Sequence, residues 1–518
     1  MTKTNKWLVT LAVIPSTTLF SIDMSVVNVA LPYIKGSMSA SIEEITWVIT
    51  GYMLSGVVLM PLVSFFSSLL GRKNYYMLSV LLFTISSLLC GISWNLPSIV
   101  IFRLLQGMGG GALIPLAQAI LAETFPREEQ GTAMAIFSLA IVLGPAIGPY
   151  IGGWIVTNYS WPWVFYVNLP IGLINLVLLY MFVEDPPFIQ RFKGNVDWFG
   201  IAFLTIGLGT MQVVLTDGEY KDWFSSSYIV TLTIISAVAT ILFIIKELYS
   251  EKPAVNLKVL KDINLSANSL LSMVFSLGIF GSLFLLPMFL QNIMGYSAYD
   301  AGLAIMSRGF AMAFAMPLAG KLFNKLGPKI LVGAGFILSI ISSIQLGSLS
   351  LDMGFWEIFW PQFIQGIGFG FIIVSLNVSS LLTIENKYKT DASGLYNLIR
   401  QVAGSIGIAI LATMMDNNVQ IDHEVLGRNV SVYNTPGLMF MRHAAMITHS
   451  PVVYPPTQKA LTLMNGFVTK QAFMIASNHA FLFMALAFLI TLPIVFILKG
   501  VKAAKDSADK SVSSGVEL

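Results

Sequence analysis

Residues 102–111 read FRLLQGMGGG, and 259 positions later residues 361–370 read PQFIQGIGFG. Four of the ten positions are identical, among them Gln106 with Gln365 and Gly107 with Gly366. A second pair agrees at nearly the same spacing. SFFSSLLGRK at 64–73 and GKLFNKLGPK at 320–329 share Leu70 with Leu326, Gly71 with Gly327 and Lys73 with Lys329, at an offset of 256. Two weak matches at nearly one offset strengthen each other and mark a chain built from two related halves.

Composition gives those halves their medium. Of 518 residues, 56% are hydrophobic and 11% charged, against the roughly 25% charged of a soluble globular chain. A helix needs about 20 apolar residues to cross the hydrocarbon core of a bilayer. Fourteen such segments can be drawn, at 8–34, 45–70, 75–92, 98–122, 131–156, 163–183, 198–216, 228–248, 265–290, 301–322, 330–350, 357–382, 392–416 and 476–499. The expected fold is therefore an all-α integral membrane protein of two six-helix bundles plus two inserted helices. Its parts would be an N-terminal bundle (1–183), a linker with the inserted pair (184–262), a C-terminal bundle with a long external loop at 417–475 (263–499) and a tail (500–518). The linker opens with the charged stretch EDPPFIQRFKGNVD. Most Lys and Arg residues fall on the side of both termini, which the positive-inside rule makes cytoplasmic. Those lysines set topology, so the net charge of +3 points to no nucleic acid or other acidic partner. Cys90 is the one cysteine, which leaves no intrachain disulfide.

Charges inside the spans are few and costly, about 2.5 to 3.5 kcal/mol each at a helix centre on the insertion scale. Asp23 stands in TLFSIDMSVVNVALP (18–32), and Arg103 in the repeat segment. Counted from the outer ends of their helices at 1.5 Å per residue, their depths differ by about 6 Å, within reach of an arginine side chain. Two roles remain open for such a pair: a static lock between helices, or a carboxylate that takes up and releases a proton as the arginine moves. Arg308 has few polar companions in its own span. Arg400 shares a helical face with Asn397, Gln401, Gly404 and Gly407. Gln118, Asn168, Asn175 and Asn377 suit hydrogen bonds between helices. Finally, AIVLGPAIGPYIGGW (140–154) gathers Gly144, Pro145, Gly148, Pro149, Gly152 and Gly153 in one span, a run that favours close helix approach.

These motifs resemble those of the major facilitator superfamily. GPAIGPYIGG looks like its antiporter motif, FRLLQGMGGGAL like its fourth-span motif with the membrane arginine, and SIDMSVVNVALP like the first-span motif of the 14-span drug:proton antiporters, with Asp23, Asn28 and Pro32 in the matching places. Further ordered matches, WVIT at 47, LIPLAQ at 113, VNLPIG at 167, DWFSS at 222, WPQFIQG at 360 and AGSIG at 403, point to the EmrB/QacA type. The resemblance implies two bundles around a central cavity that rock to exchange access, driven by the proton gradient with no cofactor. It implies export of amphipathic or hydrophobic toxic compounds from the inner membrane, with a periplasmic membrane-fusion adaptor and an outer-membrane channel as partners. Asp23 and Arg103 become the proton-coupling residues. Asn28, Gln106, Gln118, Gln365, Asn377, Asn397 and Arg400 become the cavity or substrate candidates. The 417–475 segment is the place to look for adaptor contact, although its partly amphipathic LTLMNGFVTKQAFMIAS equally suits the bilayer surface.

One motif departs from the family. The loop pattern G-x-L-a-D-r-x-G-r-k keeps only Gly71, Arg72 and Lys73 here, with Ser64 for the glycine and Ser68 for the acid. A serine does not supply the charge-assisted bond of that acid, so the latch between halves must be made otherwise. Other classes fit less well. His423, His443, His449 and His479 form no H-E-x-x-H, and no P-loop is present, which disfavours a metal site, a membrane-embedded enzyme and direct drive by ATP. Export of one metabolite, lipid or siderophore is the alternative substrate reading.

Overall fold

Backbone polar groups find no partner in hydrocarbon, so apolar runs of this length close their hydrogen bonds within helices. The computed structural model describes residues 5–185, 197–250, 253–430, 435–447 and 458–500. Nearly all of the expected charged linker and tail lies outside them. The first half contains α1 (Lys6–Met38), α2 (Ile42–Leu59), α3 (Val63–Leu70), α4 (Arg72–Gly91), α5 (Leu96–Thr124), α6 (Gln130–Asn158), α7 (Trp163–Tyr166) and α8 (Asn168–Phe182). Then come α9 (Trp198–Asp217), α10 (Ser227–Tyr249), α11 (Ile263–Met288), α12 (Ala298–Leu346), α13 (Phe355–Leu382), α14 (Lys389–Asn429), α15 (Thr435–Ile447) and α16 (Gln458–Thr491). Side chains define where several of them start. Ser41 with Glu44 caps α2 and Asn95 with Ser98 caps α5, each pair satisfying amides that the first turn leaves open.

Two breaks decide how the helices count as crossings. α2 and α3 form one span bent by 65° around Pro61, which offers no amide to the helix. α12 reverses at Gly327, whose φ of 76° and ψ of 169° suit glycine almost alone. Contacts with α13 show the reversal. Along the first arm Arg308 lies by Gly366 and Ala315 by Gly370, in the direction of α13; along the second, Gly335 lies by Gly368, and Ser342 donates to the Pro361 carbonyl at 2.7 Å, in the opposite direction. Among the described residues, twelve helices are long and apolar enough to span a membrane, thirteen with the bent pair joined. α12 counts once in that number, although Gly327 divides it into two arms.

The same contacts recur in the two halves at the offset of the sequence repeat. Gly107 and Gly111 of α5 meet Tyr52 and Gly56 of α2, while Gly366 and Gly370 of α13 meet Ala311 and Ala315 of α12, each 259 residues on. Gly109 meets Ser79 and Phe83 of α4, while Gly368 meets Gly335 and Ser339, with those partners 256 residues on. The inserted α9 and α10 pack on each other, Ser236 donating to the Gly207 carbonyl at 2.9 Å. α9 also lies along α2 and α14, and the other face of α10 is apolar and exposed through Ile234, Val238, Ile241 and Ile245.

The expected loop at 417–475 is corrected. α14 continues to Asn429, α16 begins at Gln458 and α15 lies between them, so most of the segment is helix. Hydropathy ends a span where polar residues begin, but DNNVQIDHEVLGRN contains no proline to stop the helix. At 1.5 Å per residue, the 41 residues of α14 extend about 60 Å, twice the hydrocarbon thickness. They project from the end of the bundle opposite the one where the chain begins. α15 docks on α16 through Ala444, Ala460 and Met464, and His423 bonds Asn465 at 2.9 Å. Residues 431–434 and 448–457 of the segment, including part of RHAAMITHSP, lie outside the described residues.

The reversal in α12 gives a direct test. A Cβ at Gly327 meets nothing within 4 Å, so any cost of Gly327→Val is backbone strain, about 1–3 kcal/mol. We expect this variant to melt several degrees below wild type in detergent. Gly427→Ala, inside α14 and also with open space around it, should melt at or above wild type. Equal melting of Gly327→Val and wild type would contradict the reversal.

Candidate functional site

Asp23 sits in the middle of α1 and Arg103 in the first turns of α5, and both are fully buried. Arg103 donates through Nη1 to Asp23 Oδ2 at 2.6 Å and to Gln106 Oε1 at 2.6 Å, and through Nε to the Val48 carbonyl of α2 at 2.9 Å. Asp23 Oδ1 accepts from Gln106 Nε2 at 2.9 Å and from Asn168 Nδ2 of α8 at 2.7 Å. Ser87 of α4 accepts from the same Gln106 amide at 2.7 Å. The Tyr52 ring lies 4.1 Å from the guanidinium carbon. Both carboxylate oxygens are thus engaged, as a charge removed from water requires. Five helices, α1, α2, α4, α5 and α8, converge on this one group. The depth argument from sequence found the pair, whereas Asn168, read as an ordinary interhelical amide, proves to be a direct partner of the carboxylate. Asn28 is exposed, and no hydrogen bond joins it to this network.

The glycine run of α6 holds α1 in place around that carboxylate. Gly144 lies against the Ser21 backbone, Gly148 against Ser25 and Gly152 against Val26 and Val29, so glycines at four-residue spacing bracket Asp23 on its own helix. Ser21 Oγ donates to the Ile141 carbonyl. Gly153 meets nothing within 4 Å and Pro149 is exposed. The side chain of Pro145 lies outside the described residues.

A second polar group lies between the halves. Gln118 of α5 donates to the Asn377 carbonyl of α13 at 3.3 Å, and its Oε1 accepts from Ser393 at 3.0 Å and Asn397 at 2.6 Å, both on α14. Asn377 Nδ2 donates to Ser138 of α6 at 2.9 Å, and Arg400 approaches Asn377 Oδ1 at 3.4 Å. The candidates Gln118, Asn377, Asn397 and Arg400 therefore form one seam. Beside it, toward Asp23, is a small cleft lined by Met24, Tyr52, Met53 and Met60 of the first half and Gln401 of the second. Gln365 lies elsewhere. With Ser282, it receives Arg308 inside the second half, at 3.4 and 2.7 Å.

The seam closes at the end where the chain begins. Arg72 donates to Glu123 of α5 at 2.5 and 3.2 Å and across the halves to Thr390 of α14 at 2.8 Å. Lys389 donates to the Ala122 carbonyl at 2.9 Å, and the backbones of Gly131 and Gly320 touch. Ser68 Oγ turns back on the Phe65 carbonyl at 2.7 Å. The acid that faces Arg72 therefore comes from α5, not from the loop motif, and no local signal announces it because it lies 51 residues away in sequence. Gly71, at φ 87°, turns the chain so that the Lys73 amide donates to Asp185 at 2.7 Å, while Lys73 Nζ donates to the Tyr180 carbonyl at 2.6 Å.

Comparison with known proteins agrees with this architecture. Residues 13–408 match the model of the Major Facilitator Superfamily. The chain is 31% identical to the fatty acid resistance protein FarB of Neisseria gonorrhoeae, over 92% of this chain and 93% of that one. It is also 31% identical to the multidrug export protein EmrB of Escherichia coli K12, over 95% of each. Among solved structures, the human organic anion transporter MFSD10 shares its fold with a TM-score of 0.63 at 12% identity, covering 95% of this chain and 99% of that one.

Arg72 makes the closure at the seam testable. Spin labels at exposed Leu69 and Lys387 report on the separation of the halves, with buried Cys90 left unlabelled. Arg72→Gln removes the contacts to both Glu123 and Thr390, and we expect it to move the distance distribution to longer values. Glu123→Gln should do so less, because the bond to Thr390 remains. Distributions identical to wild type in both variants would exclude Arg72 as the latch.

Proposed function

The chain belongs to the Major Facilitator Superfamily and is a multi-pass membrane transporter, not an enzyme, and from that premise we propose that it exports amphipathic toxic compounds across the cytoplasmic membrane in exchange for protons. The observation that carries the reading is the position of Asp23, a fully buried carboxylate one turn from the cleft between the halves. Phe20 and Met24 flank it on α1 and also line that cleft, as does Tyr52, whose ring covers Arg103.

Coupling then follows from charge. With Asp23 ionised, Arg103 is held on Oδ2 and both carboxylate oxygens are bonded. A proton on Asp23 removes the ionic part of that bond. Arg103 is then left to Gln106, the Val48 carbonyl and the Tyr52 face. Any shift of the guanidinium moves the aromatic wall of the cleft with it. Methionines 24, 53 and 60 give that wall a flexible, polarisable surface suited to varied apolar shapes. The cleft holds about 10 Å³ as it stands, so substrate enters it only as the halves part; the arms of the exchange then meet at one place, with Tyr52 between the proton on Asp23 and the substrate. The contacts of Arg72 and Lys389 to the second half shut the inner side when the outer side is open, with both termini cytoplasmic as the Lys and Arg distribution supports.

Multidrug export by EmrB and resistance to fatty acids through FarB, as their names state, support a broad amphipathic substrate range. The helical projection of α14, α15 and α16 is the proposed contact for a periplasmic membrane-fusion adaptor that leads to an outer-membrane channel. It carries an apolar pocket of about 320 Å³ lined by residues that include Leu426, Val430, Phe440 and Phe467.

Purified protein in proteoliposomes tests the coupling. Asp23→Asn keeps a side chain that can bond Gln106 but has no charge to titrate. We expect substrate transport driven by a pH gradient to fall by more than about tenfold, a change of roughly 1.4 kcal/mol or more, while substrate Kd stays within about twofold. Substrate-induced proton release that persists in this variant would overturn the role of Asp23. For the projection, Phe440→Asp with Phe467→Asp should abolish co-purification of the adaptor while transport in inverted vesicles persists. Undiminished co-purification would count against that contact.

A further inference from the structure

The second half contains a polar cluster that the exchange mechanism does not use. Arg308 is almost fully buried, and its guanidinium donates to Ser282 Oγ at 2.7 Å and approaches Gln365 Oε1 at 3.4 Å. Among the described residues no aspartate or glutamate pairs with it. Nearby, the Nε2 of Gln365 and both amide atoms of Gln362 are buried without a hydrogen-bond partner. Gln362 and Gln365 are three residues apart on α13 and therefore share a face.

The repeat indicates what this cluster is shaped for. At the offset of 259, Gln365 corresponds to Gln106, Gln362 to Arg103 and Ser282 to Asp23. The contacts agree: Gln106 bonds Asp23 in the first half, and Gln365 bonds Ser282 in the second, at 3.2 Å. The first half surrounds a carboxylate with one guanidinium and two side-chain amides. The second half offers the same donors, one guanidinium and two side-chain amides, but has a serine where the carboxylate stands.

We propose that Arg308, Ser282, Gln362 and Gln365 form a binding site for the carboxylate of an anionic amphiphile. The carboxylate lies on the guanidinium and takes the amide protons of Gln362 and Gln365, as Asp23 does in the first half. Beyond Ser282, α11 continues with Leu285, Leu286, Phe289 and Leu290, which are packed in the core here, so the tail enters where this stretch opens. That stretch is also where the helix loosens. Pro287 interrupts its hydrogen bonding, and residues Phe289–Ile293 form a π-helical turn, a feature common at functional sites. A small inorganic anion would satisfy the guanidinium but leave the apolar stretch unused. The inference rests on the exporter reading above and narrows it: one class of substrate is acidic, and it is held in the half that does not carry the proton.

The test uses the whole protein in nanodiscs of uncharged lipid, with radiolabelled laurate as the acidic probe and tetraphenylphosphonium as the cationic one. Arg308→Gln removes the charge, and Ser282→Asp supplies an internal carboxylate. Each is expected to weaken laurate binding at least about tenfold while leaving the tetraphenylphosphonium Kd within about twofold. Ser282→Asp should also melt no lower than wild type, which separates loss of the site from loss of the fold. Laurate affinity unchanged in both variants, or no laurate binding by wild type, overturns the proposal. So does a result in which the variants lose only radiolabelled chloride, since the site then belongs to an inorganic anion. Laurate that binds wild type as expected but is not transported in proteoliposomes would leave the site standing and remove the exporter reading.

Discussion

A carboxylate in the middle of a membrane helix needs both oxygens engaged, and Asp23 meets that requirement by drawing side chains from α5 and α8 onto itself, while Arg103 reaches on to the α2 backbone. Breaking such a buried pair by deleting one partner typically costs about 3–5 kcal/mol. The network therefore does more than position a titratable group. It ties most of the first half into one body, and the glycines of α6 seat that body's first helix closely enough that α1 moves only with α6.

The seam between the halves is made of weaker material. Gln118, Ser138, Asn377, Ser393 and Asn397 meet through neutral hydrogen bonds, and in membranes such bonds average about 0.6 kcal/mol each. The strong ion pair near the seam, Arg72 with Glu123, lies wholly within the first half. At that end the bonds of Arg72 to Thr390, of Lys389 to the Ala122 carbonyl and of Asn324 to the Glu128 carbonyl cross over, and each ends on an uncharged acceptor. The ion pairs Arg72–Glu123 and Asp23–Arg103 both lie inside the first half, so separating the halves leaves them intact. Interactions of several kcal/mol stay inside a half and interactions of tenths lie between halves, which is the order of strengths that lets two rigid bodies rock.

What could be read from the sequence follows the same division. Features set by spacing along one chain segment were legible: the repeat, the glycines gathered in α6, and the shared depth of Asp23 and Arg103. Features set by which helices meet were not. Asn168 reaches Asp23 across 145 residues and Glu123 reaches Arg72 across 51, and neither has a local signature. Arg308 looked poor in companions because they stand on α11 and α13, not on its own helix. Asn28, five residues from Asp23 on α1, is exposed and has no hydrogen bond to that network. The length of α14 was missed because hydropathy measures where lipid ends, whereas a helix ends where its hydrogen bonding is interrupted.

The duplication makes the difference between the halves informative. Equivalent glycines set equivalent helix contacts, so the two bundles share a backbone plan, and what separates them is the charge placed on it. In the first half the anion is built in, at Asp23, and its charge can change only by taking a proton. In the second half the guanidinium comes from α12 and the position of Asp23 is Ser282, so an anion can arrive and leave only as a separate molecule. On the function and the site proposed above, one plan thus provides a fixed carboxylate to exchange protons and a donor set to exchange carboxylates.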